Sequence, residues 1–379
     1  MPEIPAQSQD TLDQRMMKLA LAQARLGQGD VEPNPMVGAL VVQHNRIIAR
    51  GYHRRFGGPH AEIEVLKKAG RKARGAILFV TLEPCCHTGK TGPCTDVIIA
   101  AGIKRVVAAM ADPNPLVGGK GFAALRQAGI NVVSGVCQTE ARRLNCPFIK
   151  VMTRKLPYVI AKWAQTLDGC IADRGGHSKW ISGELSRSRV HEVRGRMDAI
   201  MIGIGTALAD DPLLTARPAA TGSIHRTALR VVLDSQCRLP LKSNLIKTHK
   251  KIPLLVVHGA ARNGMAEARR KKLEKAGIAL MAVKADNHGE LPLLLILRQL
   301  AQRGCTNVLV EGGPRLLASL LRAGLVDEVM TFIAPKILGD ALGRHAVESA
   351  LRIPLSRATS LVRWEAQRSG EDLMLQGWF

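Results

Sequence analysis

Aromatic side chains are scarce: Trp, Tyr and Phe together make up 3% of the 379 residues. That scarcity argues against an extended platform for stacking single-stranded bases. No apolar run approaches the ~20 residues that span a bilayer, so membrane insertion is not expected. The opening MPEIPAQSQD has neither a basic n-region nor an apolar h-region, so a secretory signal is not expected. Eight cysteines at uneven spacing in a chain this long do not form a disulfide framework and fit a reduced, cytoplasmic setting. Acidic residues are also short, 31 against 54 Lys and Arg, for a formal net charge of +23. Such a surface attracts anions of any kind: nucleic acid, acidic lipid or phosphorylated metabolites. The positive residues are scattered and form no tail. The densest run, Arg269–Lys272 in MAEARRKKLEKAG, reads as the solvated face of an amphipathic helix ending at Gly277. What is present in ordinary amounts, 46% hydrophobic and 22% charged residues, is globular usage. The length suggests two domains.

The pattern along the chain alternates helix and strand. A helix over Thr11–Leu26 is capped by Asp10 or Thr11 and stopped by Gly27. MVGALVV and RIIARGY read as strands joined at His44-Asn45. Helices at Ala61–Ala69, Thr95–Ala101 and Lys120–Ala128 separate the strands AILFVTL, KRVVAAM and INVVSG, and a further helix runs from Glu140 towards Met152. The polar, Pro-ended segment Thr153–Pro157 reads as a linker. A second series follows, with strands YVIAKWA, AIMIG, LRVVLD, IPLLVVHG, IALMAV and NVLVEGG. Helices at Glu184–Arg194, Met265–Ala276, Leu291–Arg303 and Arg315–Ala323 lie between them, and VDEVMTFIAPKI and LMLQGWF add strands. Alternation of this kind implies parallel or mixed sheets with helices on their faces.

The first half carries a metal pattern. His60-Ala61-Glu62 opens a helix, Pro84-Cys85 follows a strand, and Pro93-Cys94 opens another helix. One His and two Cys suit Zn²⁺, and three protein ligands leave a fourth position for water, the catalytic arrangement. Zinc lowers the pKa of that water towards 7. Glu62, two residues after the first ligand, is placed to move a proton and not to bind metal. Nucleobase deaminases carry H-x-E followed by P-C-x-x-C. Here the second Pro-Cys step comes nine residues after the first, with Cys86 and His87 between as further candidates. Cys137, Cys146, Cys170, Cys237 and Cys305 have no partner spacing.

PNPMVGALVV, GYHRRFGGPHAE, VTLEPCCHTGKTGPC and DPNPLVGGKG together resemble the deaminase half of the bifunctional riboflavin-biosynthesis deaminase–reductases. The long cysteine spacing separates the chain from transfer-RNA adenosine and cytidine deaminases. The resemblance implies that His60, Cys85 and Cys94 bind one zinc per chain, that Glu62 is the proton shuttle, and that Asn34 and His53 occupy pocket positions.

In the second half, Gly203-Ile204-Gly205-Thr206 follows a strand, but Leu208 leaves the G-x-G-x-x-G fingerprint incomplete. Glu311-Gly312-Gly313-Pro314 ends a strand and opens a helix, where backbone N–H groups suit an anion. AKWAQTLDG, SKWIS, IMIGIGTALADDPLLTAR, VVLDSQCRLP, VEGGP and IAPKILG resemble the reductase half of the same family. That resemblance implies NADPH as cofactor. It assigns Gln165, Trp180, Thr206, Asp210, Ser235 and the turn Gly313, Pro314, Arg315, Leu316, Leu317, Ala318, Ser319 to the dinucleotide. It assigns Ser178, Arg194, Leu214, Arg217 and Glu311 to the substrate, with Lys162 a weaker candidate. Arg194 and Arg217 suit a phosphate because a guanidinium fork binds it bidentately. Gln165-Thr166 stands where relatives carry Ala-Ser or Met-Thr, which favours a backbone contact at Gln165.

The fold implied is α/β throughout: a cytidine-deaminase-like α/β/α domain over residues 10–152, then a dihydrofolate-reductase-like α/β domain over 156–379. The activity implied is zinc-dependent deamination of a diaminopyrimidine ribosyl phosphate, then NADPH-dependent reduction of its ribosyl group. Partners are phosphoribosylated pyrimidines and a second copy of the chain, with neither nucleic acid nor membrane. The rival readings are a nucleic-acid-editing zinc deaminase with a basic auxiliary domain, suggested by the charge, and a binding protein with a structural zinc.

Overall fold

The first helix, α1 (Leu12–Arg25), begins at a capping box: Gln14 N donates to Thr11 Oγ1 at 3.3 Å and Thr11 N to Gln14 Oε1 at 2.8 Å. Strands β1 (Gly38–Gln43) and β2 (Arg46–Tyr52) form a hairpin. Its turn residues, His44 and Asn45, sit at φ 49° and 59°, the two left-handed positions that match strand twist. Then come α2 (Ala61–Ala69), β3 (Ile77–Val80), α3 (Cys94–Ala100), β4 (Arg105–Ala108), α4 (Lys120–Gln127), β5 (Asn131–Ser134), α5 (Gln138–Leu144) and α6 (Cys146–Arg154). The sheet order is β2-β1-β3-β4-β5, with β1 antiparallel to both β2 and β3 and the rest parallel. Alternate residues face opposite layers: Ala39, Val41, Leu78 and Val80 pack on α2, α3 and α4, while Leu40, Val42 and Phe79 pack on α1 and α5.

The structure describes residues 11–87, 92–114, 117–217, 226–259, 264–286, 289–348 and 354–379. It is a computed structural model and divides into two compact units between Lys155 and Leu156. The helix expected from Glu140 to Met152 is broken at Asn145, because Pro147 has no N–H and its ring excludes a continuous turn before it. Asn145 uses the break: its side chain accepts from Met36 N at 2.8 Å and donates to Met36 O at 2.9 Å. The linker is shorter than the sequence suggested, because α6 runs on to Arg154 and ends at Lys155 in a left-handed conformation.

The second unit contains β6 (Tyr158–Gln165), β7 (Cys170–Ala172), α7 (Glu184–Arg194), β8 (Ala199–Gly203), α8 (Ile204–Asp210), β9 (Leu229–Leu233), α9 (Asn244–Lys247), β10 (Leu254–Gly259), α10 (Gly264–Lys275), β11 (Ala279–Val283), α11 (Leu293–Gln302), β12 (Asn307–Val310), α12 (Pro314–Arg322), β13 (Glu328–Ile333), β14 (Arg344–His345), β15 (Arg363–Ser369) and β16 (Asp372–Trp378). Its main sheet has the order β11-β10-β9-β8-β12-β6-β13-β16-β15. Pairing is parallel from β11 to β13 and antiparallel beyond. The short β7 and β14 pair separately. Val159, Met201, Val231, Val257, Val308 and Val329 carry one core against α11 and α12. No helix among the described residues is long and apolar enough to cross a membrane.

Candidate active sites

His60 is the extended N-cap of α2, and its ring makes no capping bond. It turns instead towards two sulfurs: Nδ1 lies 3.2 Å from Cys94 Sγ and 3.6 Å from Cys85 Sγ. All three donor atoms fall within 4.8 Å of one another. Tetrahedral zinc, with Zn–N of about 2.0 Å and Zn–S of about 2.3 Å, separates its donors by about 3.5 Å, so this set fits the ion. Cys94 is the first residue of α3, and its N–H lies 3.5 Å from Cys85 Sγ. Hydrogen bonding from the Cys94 thiol pushes the Cys85 thiol down, against the opposing effect of burial. Cys86 and the exposed His87 stand outside the cluster, and the loop residues 88–91 lie outside the described residues.

Glu62, in the first turn of α2, is 3% exposed, and burial pushes its carboxyl up to about 7. It lines a cavity of about 290 Å³ together with His60, Cys85, Asn34 and His53. His53 Nδ1 lies 2.9 Å from Pro59 O, which can only accept, so Nδ1 carries the proton. Nε2 then accepts from Asn34 Nδ2 at 3.1 Å. Burial holds this ring below the usual histidine range. A neutral His53 thereby fixes the orientation of the Asn34 amide.

Glu83 is a residue that sequence reasoning missed. It is buried directly before Pro84-Cys85 and accepts four backbone N–H bonds: Oε2 from Asp112 (3.1 Å) and Gly119 (2.9 Å), Oε1 from Gly121 (2.9 Å) and Phe122 (3.2 Å). It ties the start of α4 to the Cys85 loop. Gly121 permits the close approach, since a Cβ there would sit 2.0 Å from Pro84 O. Asp112 and Asn114, on the same tethered loop, also line the cavity.

In the second unit, neighbouring parallel strands β9, β8, β12 and β6 bring Ser235, Thr206, the Gly313 turn and Gln165, all assigned to the dinucleotide, side by side at their C-terminal ends, whereas Trp180 and Asp210 line a separate cavity. Ser235 follows β9, Gly203–Thr206 follows β8, Gly313 caps α12 after β12, and Gln165 ends β6. Open α/β sheets bind ligands at this edge. A Cβ on Gly203 or Gly205 would meet nothing within 4 Å, and one on Gly313 would meet Thr206 Oγ1 at 3.1 Å. The two turns therefore abut and leave open backbone, a cradle that fits a dinucleotide phosphate. Within the expected Gly313–Ser319 turn, Leu317 and Ala318 are helical and packed inward, so only the first residues can present N–H groups. The Gln165 side chain is taken by Trp163 Nε1 at 2.7 Å, and its carbonyl by Ala334 N at 2.8 Å. Trp180 is 66% exposed, with the Arg187 guanidinium 4.6 Å from its ring centre.

Beside this edge lies a cavity of about 480 Å³. Arg187, Val190, His191 and Arg194, spaced along one face of α7, line it with Lys162, Ser178, Asp210, Leu214 and Arg217. Ser178 Oγ lies 3.5 Å from Asp210 Oδ1. Arg194, expected at the substrate, is also tied within the chain. Its Nε and Nη2 hold Glu311 at 2.6 and 2.7 Å and Nη1 donates to Thr215 O at 3.2 Å, which leaves one N–H on each of Nη1 and Nη2. Burial would raise the Glu311 carboxyl, but Arg194 and then Lys162 outweigh it and hold it below the usual range. Burial pushes the Lys162 ammonium down, with Glu311 pulling it back. Arg217 is exposed at the rim, ahead of residues 218–225, which lie outside the described residues.

Residues 10–110 match the cytidine and deoxycytidylate deaminase zinc-binding region, and residues 157–374 match the RibD C-terminal domain. The riboflavin biosynthesis protein RibD of Aquifex aeolicus is 42% identical over 369 residues, covering 96% of this chain and 98% of its own. The chain belongs to the RibD family. The Escherichia coli RibD is 40% identical, with 87% of this chain and 90% of that protein covered. Among solved structures, RibD of Acinetobacter baumannii superposes with a TM-score of 0.84 at 34% identity, covering 97% and 98%. A Thermotoga maritima diaminohydroxyphosphoribosylaminopyrimidine deaminase/5-amino-6-(5-phosphoribosylamino)uracil reductase does so at 0.81 and 37%, with the same coverage. RibD-family membership makes this a bifunctional deaminase–reductase of riboflavin biosynthesis, and both α/β halves expected from the sequence are present. The editing-deaminase rival falls with the RibD C-terminal match over 157–374.

Proposed function

We propose that the first unit deaminates a 2,5-diamino-6-(5-phosphoribosylamino)pyrimidinone and the second reduces the ribosyl group of the resulting 5-amino-6-(5-phosphoribosylamino)uracil with NADPH. The observation that carries the reading is the convergence of His60, Cys85 and Cys94 on one point beside buried Glu62. His60, Cys85 and Cys94 would hold one zinc, which when bound makes hydroxide available at neutral pH. Glu62 takes the proton from the attacking water and returns it to the leaving amino nitrogen, so that ammonia departs and a carbonyl replaces the amine. Asn34, oriented by neutral His53, binds the pyrimidine edge. In the second unit, Gly203–Thr206, Ser235 and the Gly313–Arg315 backbone would hold NADPH, which when bound would supply the hydride. Arg217 meets the phosphate, while Arg194 and Glu311 act as one fixed pair that shapes the cavity around Lys162 and Ser178. The reading includes a cytoplasmic location and a homo-oligomer.

Incubation with the diaminopyrimidine phosphate and NADPH, with ammonia and nicotinamide absorbance followed separately, tests the assignment. Glu62→Gln should cut ammonia release by roughly 10²–10⁴-fold, while reduction of pre-deaminated substrate continues. Loss of both activities in a folded variant would overturn the two-site reading.

A further inference from the structure

Arg230 interrupts the apolar strand LRVVL and is fully buried. A guanidinium has five N–H donors in a fixed fork, and here each meets a neutral oxygen. Nη1 donates to Leu213 O (3.2 Å) and Thr248 Oγ1 (2.7 Å), Nη2 to Leu245 O (3.1 Å) and Ile252 O (2.6 Å), and Nε to Pro253 O (3.5 Å). Four acceptors belong to α9 and its connection to β10. The fifth, Leu213 O, belongs to the Asp211–Arg217 loop, which has no regular secondary structure and lines the reductase cavity. That loop is hung on outside side chains at alternate carbonyls. Asn244 Nδ2 donates to Asp211 O at 3.0 Å, Arg230 holds Leu213 O, and His191 and Arg194 lie 3.1 and 3.2 Å from Thr215 O. Between the last two anchors Leu214 is buried at φ 52°, a conformation that a branched aliphatic residue does not hold unaided.

We propose that Arg230 is a positioning residue of the reductase site: through the Leu213 carbonyl it fixes the strained Leu214 turn and, with it, the reach of Arg217 towards the substrate phosphate. The proposal rests on the reading that this cavity takes the phosphoribosyl substrate. As core filler a buried cation is a poor choice, since an apolar residue of the same volume is often as stabilising or more so. Burial alone pulls Arg230 down to about 10. What an apolar side chain cannot do is gather the loop, the end of α9 and the start of β10 onto one rigid fork.

The test uses the full chain with Arg230→Met, Arg230→Lys and Arg217→Ala, and reads reductase KM for substrate, KM for NADPH, kcat and ammonia release. Arg230→Met should raise the substrate KM at least tenfold, with the NADPH KM and ammonia release within twofold of wild type. Arg230→Lys, which keeps the charge but only three donors, should show the same split with at least a threefold rise, and it decides the matter if the Met variant does not fold. Substrate and NADPH KM moving together, or neither moving, overturns the proposal. Arg217→Ala separates the two layers: an unchanged substrate KM in that variant refutes the substrate assignment itself. A raised KM in Arg217→Ala beside unaffected Arg230 variants refutes only the positioning role.

Discussion

Arg194 and Glu311 stand 117 residues apart in sequence and form a bidentate pair in the reductase cavity. Because Glu311 is held below its ordinary value near 4.5, the pair stabilises the fold above that value and the contribution is lost as pH falls through the lower folded value. Removing Arg194 leaves burial dominant and raises Glu311. Arg194→Gln should therefore cost about 3–5 kcal/mol at pH 7, and the gap from wild type should narrow on acidification as Glu311 takes up a proton. Denaturant midpoints at pH 7 and pH 5 check this, and a gap that widens at pH 5 contradicts the pairing. The sequence supplied the residue types but not the pairing, because no local spacing links the end of α7 to the end of β12. His60, Glu62 and Cys94 were readable because each sits at a helix start that the local pattern marks, and Cys85 because it follows a proline in the loop after an apolar strand. Glu83 and Arg230 did leave a trace, a charge beside or inside an apolar strand, which marks burial but not the partners.

At the scale of elements, the tether between α4 and the Cys85 loop governs the metal. Gly121→Ala places a methyl 2.0 Å from the Pro84 carbonyl, so α4 must withdraw and take the Glu83 anchors with it. Overpacking of this kind costs about 1–3 kcal/mol. Faster zinc transfer to a chromogenic chelator should accompany the lower melting temperature. Glu83→Gln should do the same with no steric change, since an amide offers one acceptor oxygen where two accept now. Retained zinc with normal release in both variants would disprove the tether. Most element bounds were readable from caps and glycine stops, as at α7, where residues 184–194 agree at both ends. The break at Asn145 is marked in the sequence by Pro147; what the sequence hid is the Met36 backbone that the Asn145 side chain meets only in three dimensions.

At the scale of the molecule, each unit has its own sheet and its own apolar core. A fragment beginning at Leu156 should therefore fold and oxidise NADPH with pre-deaminated substrate while releasing no ammonia, measurable by absorbance and circular dichroism. A fragment that is unfolded would show that the second core depends on the first unit. The +23 charge acts at this scale too, favouring encounter with anionic substrates at low ionic strength.

The strand order of the second sheet also sets a schedule for synthesis. β12 pairs with β6 on one side and β8 on the other, yet it is made long after both. At ~5–20 residues per second, roughly ten seconds separate β6 from β12 on the ribosome. Throughout that interval the apolar edges of Tyr158–Gln165 and Ala199–Gly203 lack the neighbour that will cover them, whereas the first unit is already complete. The nascent second half is thus the stage most open to misassembly. A chaperone or a slowed ribosome would act on yield there, before Asn307–Val310 emerges to bridge the two strands.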